Sequence, residues 1–256
     1  MSLAKRLSAD ETVFTAWSAI PDAVTMEALA ATAFDAVLLD MQHGGHSEES
    51  VLRCLAPAIA AGKPGIVRVP VGRFDMASRA LDYGAEAVVA PMINSVADAE
   101  AFAASMKYPP MGERSWGVSI LAARDGQADS LKRLKTANSE TLAFAMIETR
   151  RAYDALDGIL AVDGIDAVFI GPSDFSIAWT NGAAVNPRLD DMGEAIADIA
   201  GRARAAGKHV GIYLVDMADA GRFAAMGVRL FGFGTESKFM AAGADALLGA
   251  AKAALG

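Results

Sequence analysis

The sequence predicts an α/β protein of the (β/α)8 TIM barrel class, and three observations carry that prediction. Eight short runs rich in β-branched or bulky apolar residues recur along 256 residues, each followed by a longer helical pattern or loop. The runs are continuously apolar rather than alternating, as parallel strands covered on both faces require. A length of about 250 residues is ordinary for one such barrel. A doubly wound open sheet is the competing arrangement, but no Gly-x-Gly-x-x-Gly turn follows the first run to favour its dinucleotide-binding form.

In order, strands are expected at 13–18 (VFTAWS), 36–41 (AVLLDM), 65–69 (GIVRV), 87–92 (AVVAPM), 141–147 (TLAFAMI), 165–170 (IDAVFI), 209–215 (HVGIYLV) and 229–234 (RLFGFG). Helices are expected at 22–32, 47–61, 74–83, 95–105, 150–160, 188–206, 217–226 and 237–254. Pro21 and Asp22 mark one start and Ser47 is an N-cap for another, while Gly62, Gly84, Gly207 and Gly227 fall just after helical runs. Residues 107–140 break the rhythm: they are too long and mixed for a simple connection, and such insertions often serve as lids or subunit contacts. With no internal repeat, low-complexity tract or linker, a single domain is expected over 1–256.

Composition narrows the function. Apolar residues make up 53% and charged residues 21%, a globular balance with ample material for a core. Against 31 acidic residues stand 23 Lys and Arg, a net charge of −8. With no basic stripe to override that charge, neither nucleic acid nor an anionic membrane surface is an expected partner. No apolar run approaches the ~20 residues of a bilayer span, and the charged start MSLAKRLSADETVF has no secretory apolar stretch. The only cysteine, Cys54, excludes an intrachain disulfide and falls on a predicted helix; a cytoplasmic location is expected.

In a barrel, residues at the C-terminal ends of the strands face the active-site mouth. The second strand ends in Asp40-Met41-Gln42-His43, the third carries Arg68, the fifth runs into Glu148, and the sixth into Gly171-Pro172-Ser173-Asp174. Glu148 and Asp174, on neighbouring strands, form a sparse oxygen-only set that suits Mg2+ or Mn2+. Taken singly, each acid reads equally as a helix cap or turn residue. Arg68 lies in the apolar strand IVRVP and must meet an anion there, either a substrate carboxylate or a structural partner such as Glu148 or Asp40. His43, three residues after Asp40, fits a general base whose ring a carboxylate orients; the plainer reading is a hydrogen-bonded structural histidine.

Rival chemistries find less support. His43-Gly44-Gly45-His46 has zinc-ligand spacing, but no cysteine or third histidine completes the site, so His46 and His209 read as structural or solvent-facing. There is no Gly-x-Ser-x-Gly elbow and no phosphate-binding loop. Of the lysines only Lys238 closely follows a strand end, whereas Lys63 and Lys208 lie at the opposite ends, so covalent imine catalysis is not expected.

The segments LLDMQHG, GIVRVP, LDYGAEAVVAPMI, YPPMGERSWG, MIETRRAYDALDGI and DAVFIGPSDFS occur in the order found in the pyruvate-dependent class II aldolases of the HpcH/HpaI group. The chain resembles that family from Trp17 to the last strand. The resemblance implies a barrel whose last helix packs on a neighbouring subunit, in homotrimers or homohexamers. It implies a divalent cation (Mg2+ or Mn2+, with Co2+ an alternative) held by Glu148 and Asp174, and Arg68 contacting the pyruvyl group. It further implies His43 with Asp40 as the base pair, and Gly171, Ser173 and Asp174 as the loop receiving the substrate carboxylate. Trp17 and Leu214 match wall positions near the acceptor, and Asp82 matches an acid near a subunit boundary. Two departures stand out. Met146 occupies the place of a glutamine that usually helps hold the pyruvyl oxygens, and Gln42 precedes His43 where glutamate is commoner.

The expected activity is making and cleaving 4-hydroxy-2-oxo acids from a pyruvate or hydroxypyruvate-type enolate and an aldehyde. Three alternatives remain: a citryl or malyl thioester lyase, a non-catalytic 2-oxo-acid-binding barrel suggested by Met146, and an assembly scaffold. The first needs basic groups for coenzyme A, and only Lys132, Arg133 and Lys135 in the insertion offer any.

Overall fold

The computed structural model describes residues 1–255. Eight parallel strands pair in sequence order: β1 (Val13–Ser18), β2 (Ala36–Asp40), β3 (Gly65–Arg68), β4 (Ala87–Ala90), β5 (Leu142–Ile147), β6 (Ala167–Ile170), β7 (His209–Tyr213) and β8 (Leu230–Phe233). β8 returns to pair with β1, so the sheet is a closed barrel. The expected strands are all present.

Strand side chains alternate between two faces, and the burial pattern resolves into the two layers this demands. Ala36, Leu38, Ile66, Ala87, Val89, Leu142, Phe144, Met146, Ala167 and Phe169 fill the barrel interior. Val37, Leu39, Val67, Val88, Ala143, Val168 and Ile212 point outward against the helices. Glycines make room for the large interior rings. A Cβ on Gly232 would lie 2.8 Å from the Trp17 ring, and one on Gly211 would lie 2.6 Å from the Phe169 ring.

Several helices were not expected. Leu3–Ser8 closes the N-terminal end of the barrel, with Leu3, Ala4 and Leu7 joining the interior layer; their one-turn spacing was the available signal. The insertion holds two helices, Ser119–Asp125 and Ser130–Glu140. Its root is tied down by Lys107, whose fully buried ammonium bonds the Asn138 and Thr141 carbonyls and pairs with Asp166 at 2.7 Å. Pro172–Trp179 follows β6 immediately, with proline at its first position, where the missing N–H costs nothing.

The last helix, Glu236–Leu255, buries only Glu236 among its described residues and exposes Met240, Leu247 and Leu248. No helix among the described residues is long and apolar enough to cross a membrane.

Candidate active site

Because the interior parity runs through Asp40, Arg68, Met146 and Phe169, the next inward positions converge at the C-terminal mouth. They line a cavity of about 280 Å³ together with Trp17, His43, Glu148, Gly171, Ser173, Asp174, Tyr213 and Thr235. The sequence-chosen residues Asp40, His43, Arg68, Glu148, Gly171, Ser173, Asp174 and Trp17 are thus brought together. Among the described residues no lysine lines this cavity.

Arg68 and Asp40 form a two-pronged pair, with Nε donating to Oδ1 at 2.8 Å and Nη2 to Oδ2 at 2.7 Å. Burial alone would push the Asp40 carboxyl up. The Arg68 guanidinium and the Trp17 indole N–H, which donates to Oδ2 at 3.2 Å, hold it below the usual range instead. The Arg68 guanidinium carbon also sits 4.8 Å from the centroid of the Trp17 ring, so one side chain serves as ion-pair cap and aromatic platform. Asp40 was expected to orient the His43 ring. It meets His43 at the main-chain amide, 3.4 Å from Oδ1, and gives both oxygens to Arg68. The physical reason is that a planar guanidinium satisfies both carboxylate oxygens at once.

Glu148 is 2% exposed. Its Oε1 accepts the Met92 amide at 2.8 Å, and Met92 takes a positive φ of 56° to present that N–H, a conformation an L residue rarely adopts. Burial first, then the nearby charge of Asp174, raises the Glu148 carboxyl to about 7 against the opposing pull of the Met92 N–H and Arg68. Its Oε2 faces Gly171, where a Cβ would approach to 2.4 Å. Asp174 stands exposed on the first turn of Pro172–Trp179, beside main-chain amides that the helix leaves free and whose dipole favours an anion.

A buried carboxyl with one oxygen committed, beside a second acid, fits a hard divalent cation that keeps other positions for water or substrate oxygens. No group of three or more His, Cys, Asp or Glu among the described residues forms a closed cage. His46 is structural, as one of its two readings had it: its ring lies between Ser18 and Ser50, at 2.8 and 3.1 Å.

One expected wall residue falls elsewhere. Leu214 is 2% exposed and packs in the outer layer with Ile212, because the two share a parity that points at the helices. Tyr213 takes the cavity position, its ring edge-on to Trp17 with centroids 5.0 Å apart. Counting the alternation from Gly211 finds it. Asp82 ends the helix Phe74–Asp82, outside the cavity, where it pairs with Arg114 at 2.7 Å. Phe169 and Thr235 also line the cavity and were not singled out from the sequence.

Known proteins resemble this chain in sequence and in fold. A hydroxypyruvate/pyruvate aldolase of Rhizorhabdus wittichii is 38% identical over 197 residues, 77% of each chain. A 4-hydroxy-2-oxo-heptane-1,7-dioate aldolase of Salmonella heidelberg is 33% identical over 90% of this chain and 87% of its own. The crystal structure of an HpcH/HpaI aldolase/citrate lyase family protein from Burkholderia cenocepacia superposes with a TM-score of 0.86, at 28% identity over 98% of both chains. The HpcH/HpaI aldolase/citrate lyase model itself matches residues 14–242. With its barrel closed and its acids, arginine and histidine gathered at one mouth, the chain belongs to the HpcH/HpaI aldolase/citrate lyase family.

Proposed function

We propose that this protein is a class II aldolase, a carbon–carbon lyase that joins the enolate of pyruvate or hydroxypyruvate to an aldehyde and cleaves the resulting 4-hydroxy-2-oxo acid. The carrying observation is the gathering of Glu148, Asp174, Arg68 and His43 around one cavity with an aromatic wall. The names of the aldolase relatives support the same reading. Glu148 and Asp174 would hold a divalent cation, Mg2+ or Mn2+, which would supply a Lewis acid to acidify the C3 protons of the 2-oxo acid. The free amides of Ser173 and Asp174 receive the substrate carboxylate. His43 takes the C3 proton, leaving its electron pair in the enolate, and Arg68 places fixed positive charge beside the oxygen that becomes negative. The enolate carbon then attacks the aldehyde carbonyl, forming the new C–C bond, and the resulting alkoxide takes a proton. Trp17 and Tyr213 wall the acceptor side. Met146, which cannot donate a hydrogen bond, leaves the 2-oxo acid to be held by Arg68 and the first-turn amides.

Pyruvate incubated in D2O with the protein and Mg2+ or Mn2+ is expected to lose its methyl proton signal, and EDTA is expected to stop the loss. Absence of exchange with either metal, for pyruvate and for hydroxypyruvate, would remove the aldolase reading.

Gly171→Ala tests the acid pair without replacing either acid. The added Cβ must displace the Glu148 carboxyl, so metal-dependent exchange is expected to fall by about a hundredfold, the order that misplacing a reacting group costs. Full activity in that variant would separate Glu148 from the metal.

The exposed apolar face of Glu236–Leu255 packs on a second copy of this chain in a homotrimer or homohexamer, and the enzyme works in the cytoplasm. Leu247→Glu with Leu248→Glu is expected to shift the mass by light scattering to that of one chain. An unchanged mass would place the interface elsewhere.

A further inference from the structure

Behind the cavity wall, on the outer side of the barrel, a second polar chain joins three segments used by the reaction. Ser18 ends β1 between Trp17 and Ala19, both of which line the cavity. Its hydroxyl lies 2.5 Å from Glu236 Oε1 and 2.8 Å from His46 Nε2. The other Glu236 oxygen accepts the Ala19 amide at 2.9 Å, and His46 Nδ1 lies 3.1 Å from the Ser50 hydroxyl. Ser18, His46, Ser50 and Glu236 are all at least 95% buried.

The donors and acceptors fix the direction of this chain. A Glu236 carboxylate only accepts, so the single Ser18 proton goes to it, and the Ser18 oxygen is left to accept from His46 Nε2–H. Burial lowers the His46 pKa in spite of the Glu236 and Asp40 charges, which keeps the ring neutral. Nδ1 is then bare and takes the Ser50 proton at 3.1 Å; the Ser47 carbonyl, 3.1 Å from the same hydroxyl, keeps the Val51 amide as its donor at 2.9 Å.

His43 lies three residues before His46, across Gly44 and Gly45. The turn is seated closely: the Gly45 amide donates to the Ala19 carbonyl at 2.8 Å, and a Cβ on Gly44 would lie 2.5 Å from the Asp40 carbonyl oxygen. His43 itself is exposed and bonded to Asp40 only through its main-chain amide. Two glycines supply little stiffness of their own, so the ring's place depends on the anchors at either end of the turn.

We propose that Glu236 is a positioning residue for proton transfer at His43: through Ser18 it fixes His46 as the Nε2–H tautomer and so pins the 43–46 turn to the end of β1. This role rests on the reading of His43 as the proton carrier. It also ties the first turn of the last helix to the catalytic loop.

The chain has three histidines, so nitrogen-15 spectra of the imidazoles resolve each ring, with His46 assigned by its loss in His46→Gln. Wild type is expected to show His46 protonated on Nε2. In Glu236→Gln the amide must turn its oxygen to the Ala19 N–H and its nitrogen to Ser18. The Ser18 proton then turns to His46 Nε2, and the ring is expected to invert to the Nδ1–H tautomer. With that inversion, kcat for C3 exchange of pyruvate is expected to fall about tenfold while KM stays within about twofold, as for a misaligned proton carrier.

His46→Gln places an amide N–H near the former Nε2–H and is expected to retain exchange, whereas His46→Leu, which only fills space, is expected to lose it. Glu236→Gln with an inverted tautomer and wild-type kcat overturns the proposal, as does a wild-type His46 protonated on Nδ1, or equal losses in the Gln and Leu variants. Should Glu236→Gln fail to fold, Ser18→Ala removes the same link, with the same tenfold expectation and the same overturning result. Absence of exchange in the wild type overturns the aldolase reading, whereas wild-type exchange with insensitive variants overturns the role of Glu236 alone.

Discussion

Glu148→Gln is expected to melt higher than the metal-free wild type at about pH 8 and to show no metal-dependent turnover. The Glu148 carboxyl is raised from 4.5 to about 7, by burial first and by Asp174 next. Between those values the unfolded chain gives up this proton while the folded chain keeps it. The raised group therefore contributes its full stability below pH 4.5 and loses it as pH rises through 7. At about 1.4 kcal/mol per pH unit, the metal-free fold loses on the order of 3 kcal/mol across that window. Glutamine keeps an oxygen for the Met92 amide and carries no charge to bury, so it escapes the loss. For a chain of this size the difference corresponds to roughly 5–10 °C in Tm. At pH 5 the gap should nearly close. Adding Mg2+ should raise the wild-type Tm, because binding to the folded state alone stabilises it, and leave the variant unmoved. Turnover in the variant is expected to drop by about a thousandfold or more, since the cation loses its buried ligand. Equal melting of the two proteins at pH 8 in EDTA, or an equal response to Mg2+, would contradict this account.

This trade of stability for function explains what was legible in the sequence. Runs such as AVLLD and LAFAMI announce parallel strands because nothing but burial on both faces tolerates them. Asp40, Arg68 and Glu148 then stand out as charges at the ends of apolar runs, where each needs a partner or a purpose. Position along the strand was readable at this level, but parity was not. The Leu214 wall position is implied by the resemblance alone, and continuously apolar strands hide the alternation that puts Tyr213 at the cavity instead. The wall around Trp17 depends on Gly211 and Gly232, whose missing side chains admit Phe169 and Trp17. Absent atoms leave no pattern in a sequence until the facing strand is known. From sequence the Asp40 side chain reads two ways, as the carboxylate that orients the His43 ring and as a structural partner for Arg68. In space the adjacent strand brings Arg68 opposite it in register, and the guanidinium takes both oxygens. Helix Leu3–Ser8 was missed because six residues carry too little periodicity to distinguish them from a charged leader.

Arg68→Met is expected to lower both stability and turnover, and adding Asp40→Asn is expected to restore only the first. The pair is buried on both sides, with Asp40 3% and Arg68 8% exposed. Removing the guanidinium strands the Asp40 carboxylate with only the Trp17 indole and main-chain amides as donors, and breaking a buried pair in this way costs about 3–5 kcal/mol. In wild type, Asp40 lies below its ordinary value of 3.8, because Arg68 and Trp17 outweigh burial. Its stabilisation is therefore present above pH 3.8 and is lost as pH falls through the depressed value. In Arg68→Met that acid-side loss should vanish, since the carboxyl is no longer held down. Neutralising Asp40 in the double variant removes the stranded charge, so most of the lost Tm should return. Turnover should not. Without fixed positive charge beside the developing enolate oxygen, C3 exchange is expected to remain about a hundred- to a thousandfold below wild type. A purely structural ion pair predicts the opposite for the double variant, near-normal exchange once the fold is repaired. Measuring exchange and melting on the same three proteins decides between the two roles of Arg68 that its place in an apolar strand first posed.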